Sequence, residues 1–156
     1  MSQDEVNRYL NFSLGEEEFA IPLLSVKEVI AVPETTPIPH TPPHFVGIMN
    51  LRGQVISVID LRKKFSISSK NTEETSFIIL DLKSQFLGVV VDSVTSVLPI
   101  KNSEIMEKPS IESSKSTEYI TGVFRKDDQL VLLLDVFKTL SQEDKSAMQR
   151  SMQKAA

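Results

Sequence analysis

Asn50–Phe65 reads NLRGQVISVIDLRKKF. Asn50-Leu51-Arg52-Gly53 is a turn, and Gly53 supplies the positive φ that a tight turn needs. Val55, Ile56, Val58 and Ile59 follow as a short β-branched apolar run, the signature of a buried strand. Asp60 ends the strand and Leu61–Phe65 begins the next element. Arg52 and Arg62 flank the run. No side chain here is a nucleophile with a base beside it, so the stretch describes a surface that binds rather than one that cuts.

Upstream, Pro33–Pro43 holds five prolines. Such a segment makes neither a helix nor a central strand, and reads as a stiff loop leading into Phe45-Val46-Gly47. Before it, Tyr9–Leu14 alternates: Leu10, Phe12 and Leu14 point one way, Asn11 and Ser13 the other. Gly15-Glu16-Glu17 turns the chain into Glu18–Ile21, completing a hairpin. Pro22 breaks the pattern, and Leu23, Val26, Val29 and Ile30 suit one helical turn running into a strand. Downstream, Ser66–Ser76 is a polar surface loop. Phe77–Leu82 and Phe86–Val91 are strands around Lys83-Ser84-Gln85, and Asp92–Leu98 is a mixed apolar segment. Asn102–Glu118 is a long polar connection containing Pro109. Thr121–Arg125 and Gln129–Val136 make a last hairpin around Lys126-Asp127-Asp128. Ser141 caps a terminal helix, with Asp144 as the partner of a partial capping box. That helix carries Ala147, Met148 and Met152, read as packing residues.

The two halves of the chain repeat. Leu14 matches Leu82, Phe19 matches Leu87, Ile21 matches Val89, Val26 matches Val94 and Val29 matches Val97, all at an offset of 68 residues. Gly47 matches Gly122, Ile56 matches Val131, Ile59 matches Leu134, Asp60 matches Asp135 and Phe65 matches Leu140, all at an offset of 75. Matched Gly and Asp positions are not coincidences of hydrophobicity. Two small all-β units about a pseudo-twofold axis follow, with Val26, Val29, Val94 and Val97 expected near the seam. Each unit alone is small, so a shared seam must supply much of the stability, and a partner groove would form there.

Bulk properties narrow the function classes. The chain has 156 residues, a hydrophobic fraction of 40% and a charged fraction of 24%, enough to bury one core. A net charge of −4 argues against nucleic acid as the main partner. Cysteine is absent, which excludes disulfides and thiolate metal sites and suits a reducing compartment. Met1-Ser-Gln-Asp-Glu has no apolar core and is not a secretion signal. The longest apolar runs, such as Leu130–Leu134, are too short to span a bilayer. A soluble cytoplasmic protein is the expectation.

Catalytic constellations are weak. His40 and His44 have helical ligand spacing, but Pro42 and Pro43 lie between them, so they read as loop histidines and no metal is expected. Asp60 and Asp135 stand at equivalent strand ends, where capping explains them better than acid–base work. Gly47–Gly53 lacks the Lys-Ser/Thr of a phosphate loop, and no G-x-S-x-G elbow occurs. Glu16–Glu18 is a solvated turn. Arg52 is either a surface arginine or an interface anchor, and position alone does not decide.

The motifs together resemble the CheW family of chemotaxis coupling proteins. They are Phe12-Ser-Leu-Gly-Glu-Glu-Glu-Phe-Ala-Ile-Pro-Leu, Val26-Lys-Glu-Val-Ile, the run from Pro37 to Gly53, and Val58-Ile-Asp-Leu-Arg. Gly88-Val-Val-Val-Asp-Ser-Val, Ser116-Thr-Glu-Tyr-Ile-Thr-Gly and Leu132-Leu-Leu-Asp continue the likeness, which spans roughly Tyr9–Leu140. It implies two intertwined, SH3-like, five-stranded β-barrels related by a pseudo-twofold, with a short C-terminal helix over roughly 141–153. The expected organisation is one CheW-like domain over 1–156, its barrels roughly 20–83 and 84–141 plus an N-terminal strand. The resemblance implies a non-enzymatic adaptor without a cofactor, joining the cytoplasmic tip of methyl-accepting chemoreceptors to the regulatory domain of the histidine kinase CheA. The implied receptor-binding set is Val26, Glu28, Val29, Gly47, Arg52, Val94 and Val97; kinase contacts stay unassigned. Ser57 stands where many members have proline, Ser66 where many have glycine, and Ile105–Ser110 has fewer prolines than relatives. Two other readings stay open: an adaptor of a non-flagellar chemosensory pathway, and a small ligand-binding or catalytic barrel using Asp60, Asp135 or the histidines.

Overall fold

The computed structural model describes residues 4–68, 70–107 and 119–155, the last five of these as backbone. The strands are β1 (Val6–Leu14), β2 (Glu17–Pro22), β3 (Val26–Ala31), β4 (Phe45–Leu51), β5 (Gln54–Asp60), β6 (Ser76–Asp81), β7 (Phe86–Val91), β8 (Ser93–Lys101), β9 (Ile105–Met106), β10 (Ile120–Lys126) and β11 (Gln129–Leu134). The helices are α1 (Leu61–Lys64), α2 (Val136–Thr139) and α3 (Gln142–Ala155). One sheet runs β3-β6-β7-β5-β4 and the other β8-β1-β2-β11-β10-β9.

Applied to the first order, the two sequence offsets give the second, strand for strand, as far as β10. Register agrees to the residue. The parallel pair β5–β7 sets Ser57 beside Leu87 and Val58 beside Gly88, and β11–β2 sets Leu132 beside Phe19 and Leu133 beside Ala20. The bulge between Val26 and Glu28 in the β3–β6 pair has its equivalent between Asn11 and Phe12 in the β1–β8 pair. The sixth strand, β9, has as its counterpart a single bridge between Thr36 and Ile48.

The expected division at 83/84 is corrected by this pairing. The hairpin β6–β7 is laddered from Ser76↔Val91 to Asp81↔Phe86 and stays in the first barrel. β2 crosses instead to the second barrel, with β1. Each half therefore donates its hairpin to the other half's barrel, which is what intertwines them. The physical reason is the tight turn: cutting between residues 83 and 84 would open a hairpin with a complete ladder.

Burial explains why β6 and β7 read as continuous apolar runs. Phe77, Ile79 and Val90 fill the interior of the first barrel, while Ile78, Leu80, Leu87, Val89 and Val91 face the seam. Strands buried on both faces lose the apolar–polar alternation. The seam holds the largest apolar cluster, including Leu10, Phe12, Leu14, Phe19, Ile21, Ile59 and Leu134 from both halves. The second barrel has a smaller interior around Ala20, Ile100, Val131 and Leu133. Asn11, the counterpart of Ile79, is buried there and satisfied: its Nδ2 donates to the Phe19 carbonyl at 2.9 Å and its Oδ1 accepts from Lys126 Nζ at 3.2 Å.

Val26 and Val94 pack on the seam cluster as expected, but Val29 and Val97 do not. They are 40% and 46% exposed on the edge strands β3 and β8 and join none of the apolar clusters. Three residues along a strand bring a side chain to the opposite face, so Val26 and Val29 cannot both look inward.

The capping expectations hold. Asp60 accepts from the Arg62 N–H at 2.9 Å and Asp135 from the Lys138 N–H at 3.3 Å. Ser141 Oγ accepts from the Asp144 N–H at 3.0 Å, and Asp144 Oδ2 from the Ser141 N–H at 3.0 Å. Asp144 is fully buried and also accepts from Lys64 Nζ at 2.7 Å and from His44 Nε2, which pins α3 to the first barrel. Met148 packs in the seam cluster; the Met152 side chain lies outside the described residues, as does Pro109.

Burial would raise the Asp144 pKa, but the hydrogen bonds from Lys64, Ser141 and His44 outweigh it and hold the carboxyl below its usual value. A lowered folded pKa contributes stability that is present above the unfolded pKa of about 4 and disappears as pH falls through the folded value. Urea midpoints of the parent and of Asp144→Asn should therefore differ most near neutral pH and converge in acid. A gap that stays constant down to the acid transition would contradict this role.

Candidate interaction face

The hairpin β4–β5 turns on Arg52 and Gly53, whose φ values are +50° and +88°. Two positive φ values in a two-residue loop match the right-handed twist of the flanking strands. Asn50 Oδ1 accepts from the Gly53 N–H at 2.8 Å and fixes the turn. The Arg52 side chain is 69% exposed, and its fork meets Glu28 on β3 in two bonds, Nη1–Oε2 at 2.9 Å and Nη2–Oε1 at 3.1 Å. Because β3 and β4 are the two edges of their sheet, this pair stitches the open side of the first barrel. The Arg52 hydrogen bonds hold the Glu28 carboxyl below its ordinary pKa, so the pair is charged on both sides at neutral pH.

Gly47 offers no side chain to a partner and is buried. Its φ is +147°, and a Cβ there would lie 2.2 Å from the Thr36 carbonyl oxygen. The missing side chain lets the proline-rich segment cross β4 and pair at Ile48, with N···O distances of 2.8 and 2.9 Å. Gly122 performs the same service for β9.

The structure thus brings Glu28 and Arg52 into contact, sets Val26 and Val94 in the seam wall, and leaves Val29 and Val97 on outer edges. The other candidates are not brought together. The His40 backbone carbonyl accepts from Arg150 Nη2 at 3.1 Å, and the His44 ring meets Asp144. Asp60 and Asp135 cap separate helices. Among the described residues no group of three His, Asp or Glu side chains is arranged to hold a metal. Ser66 has φ +58°, which explains why glycine would suit that position.

Two features escaped the sequence reading. One is Arg62, which is buried and bonds Asp60 through Nε and Nη2 at 3.0 Å each, Asp92 at 3.1 Å and Asn71 at 2.8 Å. A strand-flanking arginine ordinarily signals surface, and only the nearby Asp60 hinted otherwise. The other is a cavity of about 490 Å³ lined by both barrels, among them Tyr9, Leu80, Leu82, Leu134 and Phe137.

Paired SH3-like barrels with exchanged hairpins enclose an apolar seam, and an ion pair spans the edges of the first barrel's sheet. Comparison with known proteins gives the family: the CheW-like domain matches residues 8–144, and the chain belongs to it. It is similar to the chemotaxis protein CheW of Klebsiella aerogenes, 36% identical over 87% of this chain and 82% of that protein. The chemotaxis protein CheW of Treponema pallidum is 31% identical over 90% and 86% respectively. Among solved structures, the scaffolding protein TtCheW of Thermoanaerobacter tengcongensis superposes with a TM-score of 0.82 at 30% identity, covering 90% of this chain and 96% of that one.

Proposed function

We propose that this protein is a chemotaxis adaptor that couples chemoreceptors to the histidine kinase CheA in the cytoplasm, acting by binding alone. The observation that carries the reading is the Glu28–Arg52 pair: an exposed, doubly bonded ion pair on a rigid turn, beside the seam valine Val26. Arginine in such a place offers a planar set of donors that suits carbonyls and carboxylates at the helical tip of a receptor. The receptor face is assigned to Val26, Glu28, Arg52 and Val94, with Val29 and Val97 contributing from the outer edges. Gly47 acts indirectly, by seating the segment that crosses it. Membership in a family whose relatives are named for chemotaxis, and likeness to a scaffolding protein, support the same reading.

Titrating Arg52→Ala against a receptor cytoplasmic fragment and, separately, against the kinase regulatory domain tests it. Receptor affinity should fall roughly thirtyfold, the loss typical of a central interface anchor. Kinase affinity and the melting curve should hardly change, since the side chain is exposed. Unchanged receptor affinity, or a parallel fall in both affinities and in stability, would make Arg52 a structural residue.

A further inference from the structure

The pseudo-twofold makes the two ends of the seam chemical equivalents, yet one is plugged and the other open. At the plugged end Arg62 lies between Asp60 and Asp92, and Ile67 covers Gly15, with its Cγ2 2.9 Å from where a Cβ would stand. At the open end the repeat offset of 75 places Phe137 where Arg62 would be and Asp135 where Asp60 would be. The other offset, 68, places Leu24 where Asp92 would be. The guanidinium is missing, and the cavity of about 490 Å³ stands in its place.

The opening has two carboxylates and apolar walls. Asp81 and Asp135 line it with Leu82 and Val136. Asp81 accepts the Lys83 N–H at 2.7 Å and Asp135 the Lys138 N–H at 3.3 Å. Among the described residues neither carboxylate is in an ion pair, although Lys83 also lines the cavity. Two large apolar side chains stand exposed nearby, Leu24 at 97% and Phe137 at 51%. The Phe137 ring already carries a cation, with Lys145 Nζ 4.6 Å from its centroid.

We propose that this cavity docks an arginine of a partner protein, flanked by an aliphatic side chain, in the way that Arg62 and Ile67 fill the equivalent end from within the chain. An arginine stem suits the apolar walls, its planar fork suits Asp135, and its face suits the Phe137 ring. None of the receptor-face residues lines the cavity, so the site goes beyond the function proposed above and does not depend on it.

The test uses the full chain and three capped peptides, acetyl-Leu-Arg-Leu-amide and its Lys and Glu analogues, followed by amide chemical shifts. The arginine peptide should give saturable shifts at residues 81–83, 121 and 134–137. The lysine peptide should bind at least tenfold more weakly and the glutamate peptide not at all. Phe137→Arg, which recreates the plugged end, should abolish binding. Asp135→Asn, which keeps a capping side chain, should weaken it at least tenfold. Absence of saturable shifts, equal binding of the lysine or glutamate peptide, or indifference to Asp135→Asn would overturn the proposal. So would concentration-dependent self-association abolished by Phe137→Arg, which would assign the patch to a second copy.

Discussion

Arg62→Ala should destabilise the fold by about 3–5 kcal/mol, the usual consequence of removing one partner from a buried ion pair. Asp60 is buried around the guanidinium and Asp92 is largely covered, so the substitution leaves a buried carboxylate without its counter-charge. The damage spreads because the parts are joined. Asp92 also accepts the Gly15 N–H at 2.6 Å, and Arg62 Nη2 donates to Asn71 Oδ1 at 2.8 Å. One side chain therefore ties α1, the loop after it, the β1–β2 turn and the start of β8. Against a total stability of about 5–15 kcal/mol for an ordinary domain, the variant would be near its folding threshold. Urea melts with an unchanged slope and a much lower midpoint are the expected result; a loss under about 1 kcal/mol would mean that water replaces the guanidinium at little cost.

Ile59→Ala and Leu134→Ala should each cost about 2–5 kcal/mol. Both side chains are 1% exposed, and both lie in the seam cluster at positions related by the repeat. Truncation removes their apolar contact and leaves a cavity that a seam held by strands from both barrels cannot easily collapse. The similarity of the two losses is the sharper expectation, because the repeat sets both residues at the same strand position in one seam cluster, although Leu134 also borders the cavity at the open end. A nearly neutral Leu134→Ala beside a costly Ile59→Ala would show that the two halves share topology without sharing the load.

Much of this was legible in the sequence because the repeat is carried by residues with single purposes. Gly47 and Gly122 each admit a crossing segment, and Asp60 and Asp135 each cap a short helix. Such positions keep their identity where apolar ones drift. Offsets, however, establish which strands are equivalent, not which strands pair. β2 lies beside β11, more than a hundred residues later, and that choice is made by seam packing. The His44–Asp144 contact, spanning 100 residues, was hidden for the same reason. The repeat match carries Val29 and Val97 along with the seam positions Val26 and Val94, but the two-residue period of a strand turns them outward. The proposed receptor face was legible only through family motifs; Arg52 alone gave no sign that Glu28 would meet it across the barrel edge.

Coupling is most directly measured by recruiting the kinase regulatory domain to receptor-bearing membranes, with and without this protein. The kinase domain should sediment with the membranes only when the protein is added. Arg52→Ala should still bind the kinase domain in solution, but should need a roughly thirtyfold higher concentration to bring it down. Sedimentation of the kinase domain regardless of the added protein, or equal recruitment by parent and Arg52→Ala, would contradict a coupling role through this face.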